Sequence, residues 1–182
     1  MEERVVMAGF GGQGVMAIGQ LLTYGGMVED KYVSWLPSYG PEMRGGTANC
    51  GVIVSDEPVG SPVVVECTSA IVMNKPSLDK FENSIVKGGR LFINSSLIEQ
   101  KAEREDIDVY YIPANEIADE IGNARVANMV MLGAYLEASK TVDVESVLEG
   151  FTKVFGEKRA NLIPINREAL EKGAEVAREQ MK

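Results

Sequence analysis

Short apolar segments alternate with longer segments of helical periodicity along the first two thirds of the chain. Residues 4–8 form a short apolar run that is followed by glycine, which is typical of a buried parallel strand. Apolar residues then recur at helical spacing up to Val28, which predicts a helix after the glycines. Further strands are predicted at 32–36, 48–54, 91–93 and 109–112, further short apolar segments at 63–65 and 70–73, and a helix within 77–86 that is ended by Gly88 and Gly89.

This alternation predicts an α/β fold, a three-layer αβα arrangement around a Rossmann-like, mainly parallel sheet with a helical C-terminal third. Residues 128–137 are apolar on nearly every face, so this helix is either a core helix or a subunit contact. Asp143 and Asn166 are predicted to cap the two helices that follow. No linker or repeat is evident, which predicts a single domain over residues 1–182.

The composition excludes several classes of protein. Apolar residues make up 45% and charged residues 25% of the 182 positions, as in ordinary soluble globular proteins. A net charge of -9 argues against nucleic acid or an anionic membrane as the main partner. Residues 5–28 carry no charge, but seven glycines in this run favour a buried strand–loop–helix unit over a membrane span.

The sequence contains no histidine, which removes the commonest general base and the commonest metal ligand. Its two cysteines, Cys50 and Cys67, are too few for an iron–sulfur cluster, which needs four thiolates. We therefore predict no metal site and no catalytic residue in this chain. Cys50 is interpreted as a small buried hydrophobe, and a reducing cytoplasm is the expected location.

The first candidate site is a glycine-rich turn formed by Gly9, Gly11, Gly12, Gln13 and Gly14. The spacing matches G-x-G-x-x-G between a strand and a helix, as in the first turn of a dinucleotide fold. Three interpretations stay open. The turn binds a phosphate group, or packs closely without any ligand, or presents its backbone N–H groups and Gln13 to a partner subunit.

A complete NAD site also needs an acidic residue at the end of the second strand, where it binds the ribose hydroxyls. Glu29 and Asp30 precede that predicted strand, and its far end reads Ser-Trp-Leu-Pro. The sequence therefore disfavours a nicotinamide cofactor.

The second candidate site is a loop crowded with turn-forming residues between two predicted strands. Arg44 is interpreted as a forked donor to a carboxylate or phosphate, with Tyr39 packed beside it. The alternative is an internal Glu42–Arg44 pair, which would contribute only about 0–1 kcal/mol. We favour a contact role. The candidate residues of this loop are Ser38, Tyr39, Gly40, Glu42, Arg44, Gly45, Gly46 and Asn49.

A third group follows the strand at 91–93. Asn94 is predicted to lie at the same sheet edge as the glycine turn, and Ser95 or Ser96 is predicted to cap a helix. The acidic side chains of Glu66, Asp79, Glu82 and residues 103–108 are interpreted as solvated surface, and the nine methionines as core residues.

These motifs together carry a resemblance to a known family. The chain resembles the gamma subunit of 2-oxoacid:ferredoxin oxidoreductases, the group of pyruvate and 2-oxoglutarate synthases. The most specific piece is Pro-Ser-Tyr-Gly-Pro-Glu-Met-Arg-Gly-Gly-Thr-Ala-Asn-Cys at 37–50, and the version here is most like the 2-oxoglutarate type. The other matching segments are 9–15, 73–81, 86–89, 94–96, 128–136 and 166–169.

The resemblance implies an accessory, non-catalytic subunit of a complex that oxidatively decarboxylates a 2-oxoacid with coenzyme A. The products would be an acyl-CoA, carbon dioxide and reduced ferredoxin. Thiamine diphosphate and magnesium would be held by the alpha and beta subunits, and [4Fe-4S] clusters by beta or a ferredoxin-like delta subunit. The isolated chain would bind no cofactor and be inactive. The alternatives are a free-standing NAD(P)-binding oxidoreductase and a structural homodimer formed through residues 128–136.

Overall fold

A computed structural model describes residues 1–38 and 47–181 of the protein. These residues contain a six-stranded sheet with the order β2-β3-β1-β4-β5-β6. The strands are β1 (Glu2–Phe10), β2 (Tyr32–Ser38), β3 (Thr47–Ser55), β4 (Cys67–Val72), β5 (Ile85–Asn94) and β6 (Asp108–Ile112). The helices are α1 (Val15–Val28), α2 (Lys75–Phe81), α3 (Ala114–Ile121), α4 (Ala127–Ser139), α5 (Val144–Glu149), α6 (Phe151–Phe155) and α7 (Ile163–Gln180).

The predicted three-layer fold with a mainly parallel sheet is confirmed. β1, β4, β5 and β6 pair in parallel, whereas β3 runs antiparallel to both β1 and β2. The antiparallel pairing of β2 with β3 follows from their short connection, because only residues 39–46 separate the two strands. A parallel crossover needs a dozen or more residues, so consecutive strands this close in sequence pair antiparallel.

Both faces of β1 are buried, which explains why the strand reads as a continuous apolar run. Val5 and Met7 pack under α1, α4 and α7 in the larger core, while Val6 and Ala8 belong to a smaller core on the opposite face. That smaller core is covered by α2 and by the segment after β5, with Leu78 and Ile98 among the covering side chains.

The apolar helix at 128–137 is a core helix. Every residue of α4 from Ala127 to Leu136 is buried within this chain. α4 crosses α7 at two glycines, Gly133 and Gly173, where an added Cβ would collide with the carbonyl groups of Leu170 and Val130. The helix therefore has no free face through which a homodimer could form.

The helix predicted within 77–86 is present in part as α2, but its predicted end at Gly88 and Gly89 was wrong. α2 ends at Phe81, a 3₁₀ turn follows at Glu82–Ser84, and Gly88 and Gly89 lie inside β5. The pairing register between β4 and β5 shifts there, and Gly88 has a φ of 80°, so the glycines form an irregularity within the strand. Residues 63–65 form no strand.

Three polar residues also differ from expectation. Glu82 is buried rather than solvated, and its Oε1 accepts hydrogen bonds from the backbone N–H groups of Glu103 and Arg104. Asn166 does not cap α7, which begins at Ile163; its Nδ2 instead donates to the carbonyl oxygen of Leu162. Asp143 occupies the N-cap position of α5, but its side chain makes no capping hydrogen bond.

Candidate functional site

The predicted site residues that the structure describes lie at one edge of the sheet. β1, β4, β5 and β6 all end there, at the edge where open α/β sheets bind ligands. Because β3 is antiparallel, its first residue Thr47 pairs with Phe10 at the same edge. Ser38 pairs with Asn49, so both ends of the second candidate loop also lie there. We call this the carboxyl edge.

Six of the eight candidate residues of that loop lie outside the described part of the chain. They are Tyr39, Gly40, Glu42, Arg44, Gly45 and Gly46. The contact role assigned to Arg44 therefore stays a prediction. The two described members, Ser38 and Asn49, line a groove on the sheet face opposite α1.

Gln13 closes the glycine-rich turn with its own side chain. Its backbone N–H donates to the Phe10 carbonyl at 3.2 Å, and its Oε1 accepts from the Phe10 N–H at 2.6 Å. Its Nε2 donates to the carbonyl oxygen of Met73 at 3.3 Å, which ties the turn to the end of β4. The side chain of Gln13 thus satisfies the Phe10 N–H and folds back over its own turn.

Two glycines of the turn are required by its packing. A Cβ on Gly9 would lie 2.6 Å from Gln13 Oε1 and 2.9 Å from Met73 Cβ. Gly14 has a φ of 77°, in the left-handed region, and an added Cβ would collide with Asn128 Nδ2. Gly11 and Gly12 are exposed at the tip. Close approach within the turn is therefore made by the protein's own side chains, which favours the ligand-free or subunit-facing interpretation.

Asn128 is a residue of this site that the sequence reasoning missed. It is buried in the first turn of α4, and its Nδ2 donates to the Gly14 carbonyl at 3.1 Å. Its Oδ1 accepts from the N–H of Met129. The helix looked uniformly apolar, and the one polar residue at its start was the available signal.

Asn94 holds the end of β5 to α3. Its side chain is fully buried, and its Nδ2 donates to Asn115 Oδ1 at 2.8 Å. Its Oδ1 accepts from the N–H of Ser96. Ser96 Oγ in turn accepts from the N–H groups of Asn115 and Glu116, so it caps α3 from outside that helix. Asn94 therefore has a structural role in positioning this edge.

A cavity of about 130 Å³ lies beside the turn, with Gln13, Asn115, Asn128 and Arg125 among its lining residues. Side-chain amides and one guanidinium can hydrogen-bond a polar or anionic group. No lining residue is a carboxylate, a thiol or a hydroxyl. The described lining therefore offers binding but neither a nucleophile nor a general base.

The two cysteines are not suited to ligate a cluster. Cys50 lies in the larger core and Cys67 in the smaller core, on opposite faces of the sheet. Burial raises the pKa of the Cys50 thiol to about 12 and that of Cys67 to about 11. Among the described residues, no group of three His, Cys, Asp or Glu side chains could hold a metal ion.

The sheet topology differs from that of a dinucleotide site. In that fold the second strand lies directly beside the first, whereas here β3 separates β2 from β1. Glu29 precedes β2 and so lies at the edge of the sheet opposite the carboxyl edge. Partial burial there disfavours the charged form of its carboxyl group. Hydrogen bonds from the Asp143 N–H, Ser146 and Lys31 outweigh that burial and lower the pKa of the carboxyl group. Because it lies at the opposite edge of the sheet, the Glu29 carboxylate cannot bind a ligand at the carboxyl edge.

Within the described residues, no helix combines the length and the apolar character that a membrane crossing requires.

Comparison with known proteins places the whole chain in one family. Residues 4–176 match the profile of the pyruvate ferredoxin/flavodoxin oxidoreductase family. Subunit VorA of ketoisovalerate oxidoreductase from Methanothermobacter thermautotrophicus is 41% identical over 99% of this chain, which spans 37% of VorA. Subunit KorC of 2-oxoglutarate synthase from Methanocaldococcus jannaschii is 34% identical, with 98% of this chain and 96% of KorC covered.

Solved structures agree. The gamma subunit of a keto/oxoacid ferredoxin oxidoreductase from Geobacter sulfurreducens has a TM-score of 0.82 at 26% identity, with 97% of this chain and 99% of that chain covered. A 2-oxoglutarate:ferredoxin oxidoreductase from Magnetococcus marinus, solved with 2-oxoglutarate, coenzyme A and succinyl-CoA bound, has a TM-score of 0.89. At 23% identity, with 100% of this chain and 32% of that chain covered, it shows the shared fold alone. Our chain thus belongs to the pyruvate ferredoxin/flavodoxin oxidoreductase family.

Proposed function

We propose that this chain is the accessory gamma subunit of a 2-oxoacid:ferredoxin oxidoreductase complex. The observation that carries the proposal is the match to KorC, which extends over nearly the full length of both chains. The complex would oxidatively decarboxylate a 2-oxoacid with coenzyme A to an acyl-CoA, carbon dioxide and reduced ferredoxin. Residues 1–182 would act as one domain within that cytoplasmic assembly.

The chemistry would belong to the partner subunits. Alpha and beta subunits would hold thiamine diphosphate and Mg²⁺, and [4Fe-4S] clusters would lie in beta or in a ferredoxin-like delta subunit. The separated, buried and protonated thiols of Cys50 and Cys67 support this division, because they cannot supply the four thiolates of a cluster. This chain would contribute binding surfaces at its carboxyl edge.

The expected substrate is 2-oxoglutarate, from the form of the loop at 37–50 and the match to KorC. Ketoisovalerate is the second candidate, because VorA has the higher identity of 41%. The two substrates differ in charge and size, so initial rates of ferredoxin reduction with each, measured on the assembled complex, separate them.

Co-expression with its candidate alpha and beta chains tests the proposed function. We expect a stable complex that co-purifies with this chain and reduces ferredoxin when given a 2-oxoacid and coenzyme A. The Arg44→Ala variant should weaken assembly or turnover and leave the circular dichroism of the isolated subunit unchanged. Failure of the wild-type chain to co-purify with either partner would overturn the proposal.

Calorimetry distinguishes this proposal from a free-standing NAD(P)-binding oxidoreductase. Only the latter would bind NADH or NADPH with a Kd in the micromolar range. We expect no such binding, because β3 separates β2 from β1, unlike the strand order of a dinucleotide site.

A further inference from the structure

Among the residues that the structure describes, no helix covers one part of the sheet. On the face opposite α1, a groove of about 260 Å³ lies over β2, β3 and β1, between Leu36 and the segment 62–64. We call it the β2 groove. Phe81 of α2 closes one side, and Val6 of β1 also lines it. None of its lining residues within the described part of the chain is charged.

Apolar side chains are exposed in and beside the β2 groove. Leu36 and Val63 line it and are 42% and 57% exposed, and the neighbouring Val65 is 78% exposed. Phe10, on the same face of β1 as Val6, is 42% exposed. Single exposed apolar residues are normal, but a cluster around one groove whose described lining carries no charge is typical of a protein interface.

The other half of this face shows what a covered surface looks like. Over β4 and β5, the side chains of Val72 and Leu91 are fully buried beneath Leu78 of α2 and Ile98. The β2 half has only the short segment 62–64, which lies so close to the sheet that a Cβ on Gly51 would be 3.0 Å from Val64 Cγ2. The groove is thus packed where Val64 meets the sheet at Gly51 and is exposed to solvent at Leu36 and Val63.

Two observations indicate what covers it. The chain carries a net charge of -9, so association of two copies brings like charges together, whereas a less acidic partner avoids that repulsion. In VorA, this chain corresponds to 37% of a longer polypeptide, so the remainder of that relative is covalently joined to the same domain. Ser38 lines the groove and directly precedes the predicted contact loop in the sequence.

We propose that the β2 groove is the docking surface for an apolar segment of the partner subunit that corresponds to the remaining length of VorA. The proposal rests on the proposed function, since it names the surface by which this subunit joins its complex. Interface cores are depleted of charge, and burial of one unpaired carboxylate in such a core weakens binding by tenfold or more.

The test is co-purification of tagged variants with the alpha and beta chains. Val63→Asp and Val65→Asp place a charge in and beside the groove, in a segment without helix or strand. Each should lower the amount of captured partner at least tenfold and leave the thermal unfolding of the isolated chain unchanged. Met181→Asp is the matched control, because Met181 is 41% exposed beyond the end of α7, and it should capture partner as the wild type does.

The outcomes are distinct. If the wild type captures its partners and both groove variants do so equally well, the docking proposal is overturned and the proposed function stands. If the wild type captures nothing, the proposed function fails and the docking proposal fails with it. If light scattering shows a dimer of the isolated chain that Val63→Asp converts to a monomer, the occupant is a second copy and the proposal is wrong.

Discussion

The two ends of the sheet are held together by different chemistry. At the carboxyl edge, neutral side-chain amides make the connections: Gln13 to β4, Asn94 to α3 and Asn128 to α1. At the opposite end, which we call the amino edge, carboxylates do so. Glu3 lies there beneath α4, and Glu29 joins α1 to α5. These three links at the carboxyl edge carry no titrating group, whereas the two links at the amino edge depend on carboxylates.

Glu3 is the centre of the amino edge. Its Oε2 accepts hydrogen bonds from Thr68, Ser69 and Tyr135 at 3.1–3.2 Å, and its Oε1 pairs with Arg90 Nη1 at 3.1 Å. Burial raises the pKa of Tyr135, and the neighbouring Glu3 charge adds to this effect, so the phenol is a hydrogen-bond donor here and stays neutral. One carboxylate thus satisfies donors from β4, β5 and α4.

The largest expected effect comes from Glu3→Gln. The amide keeps the shape but replaces an acceptor with a donor that faces other donors, and it leaves the Arg90 charge without a partner. We expect a loss of about 2–3 kcal/mol in the free energy of unfolding, below the 3–5 kcal/mol of a fully buried pair because Arg90 is partly exposed. Urea unfolding at pH 7 measures it. Glu2→Gln is the matched control at an exposed position and should cost less than about 0.5 kcal/mol; equal losses for the two variants would contradict the assigned role.

The second-largest effect is expected from a variant that introduces a charge at the carboxyl edge. Gln13→Glu keeps the acceptor for the Phe10 N–H but places a carboxylate oxygen against the Met73 carbonyl. We expect a loss of about 1–2 kcal/mol in the free energy of unfolding at pH 7. The amide nitrogen that donates to the Met73 carbonyl is replaced by a carboxylate oxygen, which that carbonyl repels. The pKa of the new carboxyl should be raised, so the loss should shrink as the pH falls and the protonated acid donates again. Gln20→Glu, at a partly exposed position of α1, is the control. A loss that does not change between pH 7 and pH 4.5 would contradict this geometry.

The smallest effect concerns Glu29. Burial disfavours its charge, but the hydrogen bonds from Asp143, Ser146 and Lys31 prevail, and its pKa lies below the ordinary value of 4.5. A carboxyl group with a lowered pKa stabilises the fold above its unfolded pKa, and this contribution is lost as the pH falls through the folded pKa. Glu29→Gln should therefore cost about 1 kcal/mol at pH 7 and progressively less below pH 4.5. Urea midpoints across that range test the sign; a loss that grows on acidification would contradict it.

Several elements follow directly from local patterns in the sequence. Residues 5–8 of β1 and 70–72 of β4 are apolar because both faces of the sheet are covered there, and α1 follows a glycine-rich turn. The wrong predictions fall where local and tertiary preferences conflict. Gly88 and Gly89 look like a helix end but form an irregularity inside β5, because the register against β4 shifts there. Glu82 looks like surface, but its carboxylate binds two backbone N–H groups of a later segment.

The candidate site was predicted in part. The glycine turn, Asn94 and the two ends of the loop at 38–49 lie at one edge, as parallel strands require. Asn128 could not be placed from its position in the sequence, because its contact with Gly14 joins residues 114 positions apart. The sequence also could not predict that the Gln13 side chain folds back onto its own turn. The spacing of the glycines is the same whether or not the turn binds a ligand.

The sequence by itself determined the alternation of strands and helices, the absence of histidine chemistry and the family resemblance, because periodicity, composition and motif spacing are local properties. Only the tertiary structure decided which helix faces are free, which carboxylates are buried and which half of the sheet stays open. Those properties depend on side chains from distant segments meeting in space, and burial at each such contact is set by the partner rather than by the residue itself.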